Sequence, residues 1–438
     1  MRPLHTASLA LFVALASWAT AGPASAASDC KVLTGAKVML PDGPSDDSVI
    51  VLVDDEIAAA GRAINGLELN LSAPGSARFK GQACVLEDHT GRVITAGLIE
   101  VDSNLGLVEV GLEQATRDHT WEEGPANRAA MVVADAYNPR SSLVPVARLG
   151  GITSALVVPR GGLISGQGAL VDLSGGSQRE SVVSRSVALY ANLSAGSSRA
   201  ANLLLLRQAL QDARFLQRNS SAHEQGRSRE LSAGPLALAA VDRVVRNQIP
   251  LVIRADRAAD IEAVLRLADE ENIRVVLRGG AEAWLLSKEL AQAKVAVILD
   301  PMVYGPGSFD QLQGRADNAA LLSAAGVPVI ISTGSSHFAR NLRHKAGNAV
   351  RAGLDHTAAL AAITSTPAEV FGLIGRGHIE SGSIANLVSW SGDPLELSTV
   401  PIKVLIRGKE TTLQSRQSAL RERYRSLPGS PIEPPPLP

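Results

Sequence analysis

Residues 91–106, GRVITAGLIEVDSNLG, constrain the fold more than any other stretch. Val93-Ile94 reads as a strand entry, and a Gly-led apolar run, Leu98-Ile99, follows it. The run ends in a polar tip formed by Glu100, Asp102 and Asn104. Residues two apart share one face of a strand, so Asp102 and Asn104 present polar groups on the same side.

The middle of the chain repeats a simple alternation. Residues 251–253, 273–277, 295–299 and 327–332 are mostly apolar, as strands buried on both faces must be. Each precedes a stretch expected to be helical: 258–269, 282–293, 309–325, and then 339–352 with 357–371. Ile261, Val264, Leu265 and Ala268 show the three-four spacing of a helix with one apolar face. Repeated βα units predict a parallel sheet, most simply a barrel. Upstream, 152–158 predicts a further barrel strand and 203–216 an amphipathic helix, while the glycines of 161–168 (GGLISGQG) and 175–177 predict loops. Shorter strands with polar turns occupy both ends. They are expected at 31–40, 48–53, 56–60 and 83–86, and again at 385–390 and 400–406.

The 91–106 stretch resembles the first barrel strand of the amidohydrolase superfamily, roughly G-x-V-x-x-P-G-L-I-D-x-H-x-H. Gly91, Val93, Gly97, Leu98 and Ile99 stand, with Ala96 for Pro and Glu100 for Asp. Near the other end, residues 377–395 resemble the family's G-x-I-x-x-G-x-x-A-D-L-V-V-x-x-G-D-P-L segment, with Asn386 for the Asp of A-D-L-V. The resemblance is to the exported, imidazolonepropionase-like branch. It implies a distorted (β/α)8 TIM-like barrel inserted in a composite β-sandwich. The expected division is a signal peptide at 1–26, a sandwich from 27–92 and 377–412, a barrel at 93–376, and a terminal helix with a Pro-rich tail at 413–438.

The family norm is a divalent metal such as zinc, and the family chemistry is hydrolysis of non-peptide C–N bonds. Here the metal motifs are degenerate. Asp102 and Asn104 replace the His-x-His pair, Arg254 stands where the fifth-strand histidine belongs, and Gly334 or Ser335 falls where the last strand carries Asp. The resemblance therefore implies no bound metal and no other cofactor. It implies a catalytically degenerate protein with a pseudoenzyme or ligand-binding role, the alternative being an active hydrolase with an atypical site. The catalytic residues stay unknown. The candidate pocket comprises Asp102, Asn104, Gln167, Arg254, Glu282, Ser335 and His337, with Arg254 expected to pair with Asp102. Asp118-His119 is a weaker acid–base candidate.

Lys+Arg 42 against Asp+Glu 43 leaves a formal charge of -1, which gives no electrostatic footprint for nucleic acid or an anionic membrane. Arg2 and His5, the apolar run 9–15 and Ala24-Ser25-Ala26 predict an export signal and a periplasmic or secreted protein. No membrane span is expected after its removal, because the apolar run falls short of the ~20 residues a span needs. A small-molecule ligand, a partner protein and a homo-oligomer all stay open. Cys30 and Cys84 are either a disulfide or two buried thiols.

Overall fold

The computed structural model describes residues 29–69, 75–196 and 198–425. The expected signal peptide and the Pro-rich tail lie outside the described residues. The N-terminal strands are β1 (Cys30–Thr34), β2 (Lys37–Leu40), β3 (Gly43–Ser45), β4 (Val49–Val53), β5 (Glu56–Gly61), β6 (Leu67–Leu69), β7 (Ser76–Phe79), β8 (Gln82–Asp88) and β9 (Val93–Ala96). The central strands are β10 (Leu98–Ser103), β11 (Ile152–Val157), β12 (Ile164–Asp172), β13 (Val182–Asn192), β14 (Leu251–Ala255), β15 (Val275–Gly279), β16 (Ala296–Leu299) and β17 (Val329–Ile331). Strands β18 (Leu387–Trp390), β19 (Pro401–Ile406) and β20 (Lys409–Glu410) follow.

These strands form three sheets. One runs β5-β4-β1-β8-β7-β6. A second, β20-β19-β18-β9-β2-β3, draws its strands from both ends of the chain. A shared apolar cluster joins the two, with Leu33, Ile50, Leu52 and Ile57 from the first meeting Val38, Ile94, Leu387 and Leu405 from the second. The expected hairpin forms as β4 and β5, turning at Asp54 with φ 54°. The expected single strand over 31–40 is instead split into β1 and β2. Its breakpoint, Gly35, has φ 79°, and a Cβ there would lie 2.5 Å from Thr90 Oγ1.

The third sheet is a nearly closed eight-stranded barrel in sequence order, β10 to β17. Its neighbours run parallel except at β12, which is antiparallel to both β11 and β13. The loop expected over 161–168 is therefore overturned in its second half, since Ile164 onward is a fully buried strand. Glycine serves close packing there: a Cβ on Gly168 would sit 2.4 Å from the Tyr190 ring, and one on Gly166 2.7 Å from the Met131 carbonyl. The helix expected over 309–325 is also shorter, at Asn318–Ala324. The segment before it carries Gly305, Pro306, Gly307 and Gly314, which do not favour a helix.

No ladder joins β17 to β10. The Ala362-Ile363 backbone bridges the seam instead, its carbonyls accepting from Ile331 N at 3.1 Å and Ile99 N at 2.9 Å. Glu100, completely buried, closes the rest. Its carboxylate accepts from Thr333 N at 3.0 Å, Thr333 Oγ1 at 2.6 Å, Asp102 N at 3.2 Å, and Ser332 Oγ. Burial pushes its pKa above the ordinary range, against the pull of these donors.

Inside the barrel, Ile99, Val101, Leu156, Val158, Tyr190, Val252, Val276, Ile298 and Ile330 form the inner core. Outside it, helices such as Arg199–Arg218 and Ala258–Glu271 bury Leu206, Leu210, Ile261, Val264 and Leu267. No helix among the described residues is long and apolar enough to cross a membrane.

Cys30 and Cys84 are joined as a disulfide, with Cα atoms 4.5 Å apart. The parallel pairing of β1 with β8 sets Lys31 against Val85, which brings the preceding residues together. The bridge closes a loop with a separation of 54 residues. Chain entropy assigns such a loop about 4 kcal/mol, and natural bridges usually contribute roughly 2–4 kcal/mol. We expect Cys30→Ser with Cys84→Ser to lower stability by that amount in urea denaturation. An unchanged midpoint would contradict it.

Candidate functional site at the barrel mouth

The inner faces of the strands continue into the mouth with charged and polar residues. Two positions beyond Val252 comes Arg254, beyond Val276 comes Arg278, beyond Ile298 comes Asp300, and beyond Ile330 comes Ser332. On the β11 side, Leu156 and Val158 lead to Arg160. Arg254 and Arg278 face each other across the β14–β15 ladder. Two like charges at such positions repel unless carboxylates come between them.

Asp102 supplies the main one. The register of β10 against β11 shifts between Glu100 and Ser103, and such an irregularity re-aims the side chains beside it. Asp102 Oδ1 receives Arg160 Nη1 at 2.7 Å, and Oδ2 receives Arg278 Nε at 2.6 Å. Arg160 Nη2 also donates to the Asp102 carbonyl at 3.2 Å. Asp102 is 5% exposed. Desolvation works to raise its pKa, but the two guanidinium groups hold it below the usual carboxylate range. The expected Arg254–Asp102 pair is thereby overturned. Among the described residues the Arg254 side chain pairs only with Asp256, at 3.5 Å, while two other arginines already occupy both oxygens of Asp102.

The remaining candidates scatter. Asn104 donates to the Val158 carbonyl at 2.7 Å and ties β10 to β11. Gln167 lies in the middle of β12, away from the mouth, donating to Ala129 O and accepting from Arg243. Glu282 accepts from Ala258 N at 2.9 Å and Gln313 N at 3.3 Å, so it caps a helix and pins a loop. Ser335 receives Ser103 Oγ and Thr333 Oγ1 on its carbonyl and Phe338 N on its hydroxyl. His337 is exposed and contacts Ser336 Oγ at 3.2 Å. His119 leaves Nδ1 buried without a hydrogen-bond partner among the described residues. Burial and then Arg160 and Arg117 pull its pKa down to about 4, so it is neutral near pH 7.

The structure thus brings together Asp102 and Arg254, and adds Arg160, Arg278, Asp256 and Asp300, which the motif reading passed over. The signal for them was the inward period-two register of the strands. Lys345 pairs with Asp300. The cavity there is about 150 Å³ and is lined by Asp102, Arg254, Asp256, Arg278, Asp300 and Thr333, among others. A larger cavity of about 680 Å³ lies elsewhere, lined by Trp121, Met131, Leu163, Leu205 and Leu236. It shares no residue with the mouth. We place the candidate site at the mouth because polar groups converge there.

A divalent ion does not suit this donor set. Both oxygens of Asp102 are taken by arginines, Asp300 by Lys345, and no histidine lines the cavity. Among the described residues no group of three or more His, Cys, Asp or Glu could hold a metal.

No protein-family model matches the chain. Amidohydrolase tasK of Hapsidospora irregularis is 23% identical over 366 residues. That match covers 74% of this chain, which spans 37% of the length of that curated relative. Among solved structures, an amidohydrolase from Thermotoga maritima MSB8 aligns with a TM-score of 0.75 at 23% identity, covering 87% of this chain and 99% of that one. A zinc-bound adenosine deaminase from Xanthomonas campestris aligns with a TM-score of 0.51 at 15% identity, covering 90% and 97%. The fold is that of the amidohydrolases.

Proposed function

We propose that this chain is an amidohydrolase-superfamily protein of the imidazolonepropionase-like branch whose barrel mouth binds a small molecule without a catalytic metal. One observation carries the reading: Arg160 and Arg278 occupy both oxygens of Asp102. A metal would have to displace two charge-assisted bonds and then sit beside fixed cations. A unit-charge repulsion at ~4 Å amounts to about 4 kcal/mol at an effective dielectric of ~20, roughly three decades of affinity.

Elemental analysis of protein expressed with excess zinc tests this. We expect far less than one equivalent of zinc. One equivalent in the wild type, lost in Asp102→Ala, would return the chain to the metal-dependent hydrolases. The fold and the curated amidohydrolase relative favour a second reading, an active hydrolase of non-peptide C–N bonds with an atypical site. Turnover of an amide and amidine panel by zinc-free protein would support it.

We read the two six-stranded sheets as one composite sandwich, because strands from both chain ends pair in one of them and a single apolar cluster joins both. Its expected parts are 27–92 and 377–412, around a TIM-like barrel at 93–376; β9 (Val93–Ala96) pairs with β18 and β2 in the second sheet, which moves the start of the barrel to β10 at Leu98. We place the protein in the periplasm or outside the cell, and the Cys30–Cys84 bridge supports an oxidising compartment.

A further inference from the structure

The cavity of about 680 Å³ lies outside the barrel wall. Its sides are the segment 121–131, the start of β12 at Leu163 and Ile164, and the helices Arg199–Arg218 and Pro235–Val245. No carboxylate lines it, and Arg128 is its one cation. That arginine is buried and turned onto its own loop. Nε donates to the Pro125 carbonyl at 2.9 Å, and Nη2 to those of Gly124 at 3.1 Å and Glu122 at 3.4 Å. Gly161 and Gly162 make room for the guanidinium: a Cβ would lie 2.7 Å from its Nη1 on the first and 3.1 Å from its Nε on the second. The same segment is fastened to β12 through Arg128 N to Ile164 O at 2.8 Å and Leu163 N to Ala126 O at 2.9 Å. Arg128 thus braces a wall that stands off the two helices instead of collapsing onto them. The space it keeps open is apolar. Leu236 is 80% exposed, Trp121 54% and Leu205 41%, and all three line this one cavity. Asn127 Oδ1 turns back to Ala129 N at 3.0 Å.

We infer that this cavity binds an uncharged, largely apolar small molecule. The inference is independent of the metal-free reading of the mouth, with which the cavity shares no residue. Single exposed leucines are ordinary, but large apolar side chains converging on one braced concavity mark a binding site. The volume falls within the ~300–1,000 Å³ of sites that enclose small ligands. A charged ligand would give up its hydration and meet no counter-charge, since the one cation is held by carbonyls. An extended peptide would bring backbone N–H and C=O groups that this lining cannot satisfy.

Fluorescence titration of the purified protein with phenylnaphthylamine, an uncharged apolar dye, and with its anionic relative anilinonaphthalene sulfonate tests the inference. We expect saturable binding of the neutral dye and at least tenfold weaker binding of the sulfonate. Leu205→Gln combined with Leu236→Gln should weaken the neutral dye by about tenfold or more, as loss of two apolar contacts implies. Ala130→Phe, which fills the cavity from an exposed position, should weaken it similarly. All three positions are exposed, so these variants should melt as wild type does. Leu397→Gln, at another exposed leucine outside the lining, should bind as wild type. Absence of saturable binding, sulfonate binding as tight as the neutral dye, or neutral-dye binding that survives both cavity variants would overturn the assignment. Sedimentation showing a wild-type dimer that the Leu205–Leu236 double variant dissociates would also overturn it, because the cavity would then be a surface between copies of the chain.

Discussion

Asp102→Asn should destabilise the protein by about 3–5 kcal/mol, the range for breaking a buried ion pair by removing one partner. The carboxylate is 5% exposed and holds Arg160 and Arg278, whose side chains are 20% and 17% exposed. Without its charge, two largely buried guanidinium groups lose their counter-ion while still close together. Asparagine can accept from only one of them with its single carbonyl oxygen. The pH dependence follows from the direction of the shift. The folded pKa of Asp102 lies below its unfolded value, so its contribution is fully present above the ordinary carboxylate pKa, ~3.9. It is lost as pH falls through the lower folded value. Glu100 acts oppositely, because its folded pKa is raised and its contribution fades as pH rises through that value. Urea unfolding across acidic pH should therefore show wild type losing its advantage over Asp102→Asn below about pH 4. A loss of under about 1 kcal/mol at neutral pH would mean that the mouth behaves like a solvated surface pair.

Much of the fold was legible because its strongest signals are local. The β4–β5 hairpin, the strands β14 to β17 and the helix Ala258–Glu271 follow from apolar periodicity and turn residues. What failed was set by tertiary packing. Gly166 and Gly168 read as loop residues, yet their missing side chains let Met131 and Tyr190 approach a buried strand. The reversal of β12 leaves no mark on periodicity, because a strand buried on both faces reads the same in either direction.

The site was legible in position but not in pairing. Motif comparison singled out Asp102 and Arg254 and asked only which strand ends had kept histidine or aspartate. Arg278 follows Val276, and Arg160 follows Val158, on the same inward face, so strand register alone could have nominated them. That Arg278 rather than Arg254 reaches Asp102 depends on three-dimensional placement, since Arg254 and Arg278 are paired neighbours with the same chemistry. Gln167 and Glu282 were drawn in by nearby glycines that serve backbone geometry.

Asp172→Ala should be at least as damaging, destabilising by about 3–5 kcal/mol or more, and should do so far from the mouth. Asp172 ends β12 and is fully buried. Its Oδ2 accepts Arg376 Nη2 at 2.8 Å and Arg407 Nε at 3.1 Å, and Oδ1 accepts Ser154 Oγ at 2.8 Å. Arg407 follows β19 and also reaches Asp55 beside the β4–β5 turn, at 3.3 Å. One carboxylate thus ties the barrel wall to both six-stranded sheets. Alanine would strand Arg376, only 5% exposed on its side chain, without a charge partner and leave a void in a close-packed region. Asp172→Asn should recover only part of the loss, since it keeps the volume but not the charge. If the network couples the sheets to the barrel, Asp172→Ala and Arg407→Ala will be non-additive, the double variant losing less than the sum of the singles. Additive losses in urea unfolding would show that Arg407 and Asp172 act independently, and that the sheets are held to the barrel by apolar contacts instead.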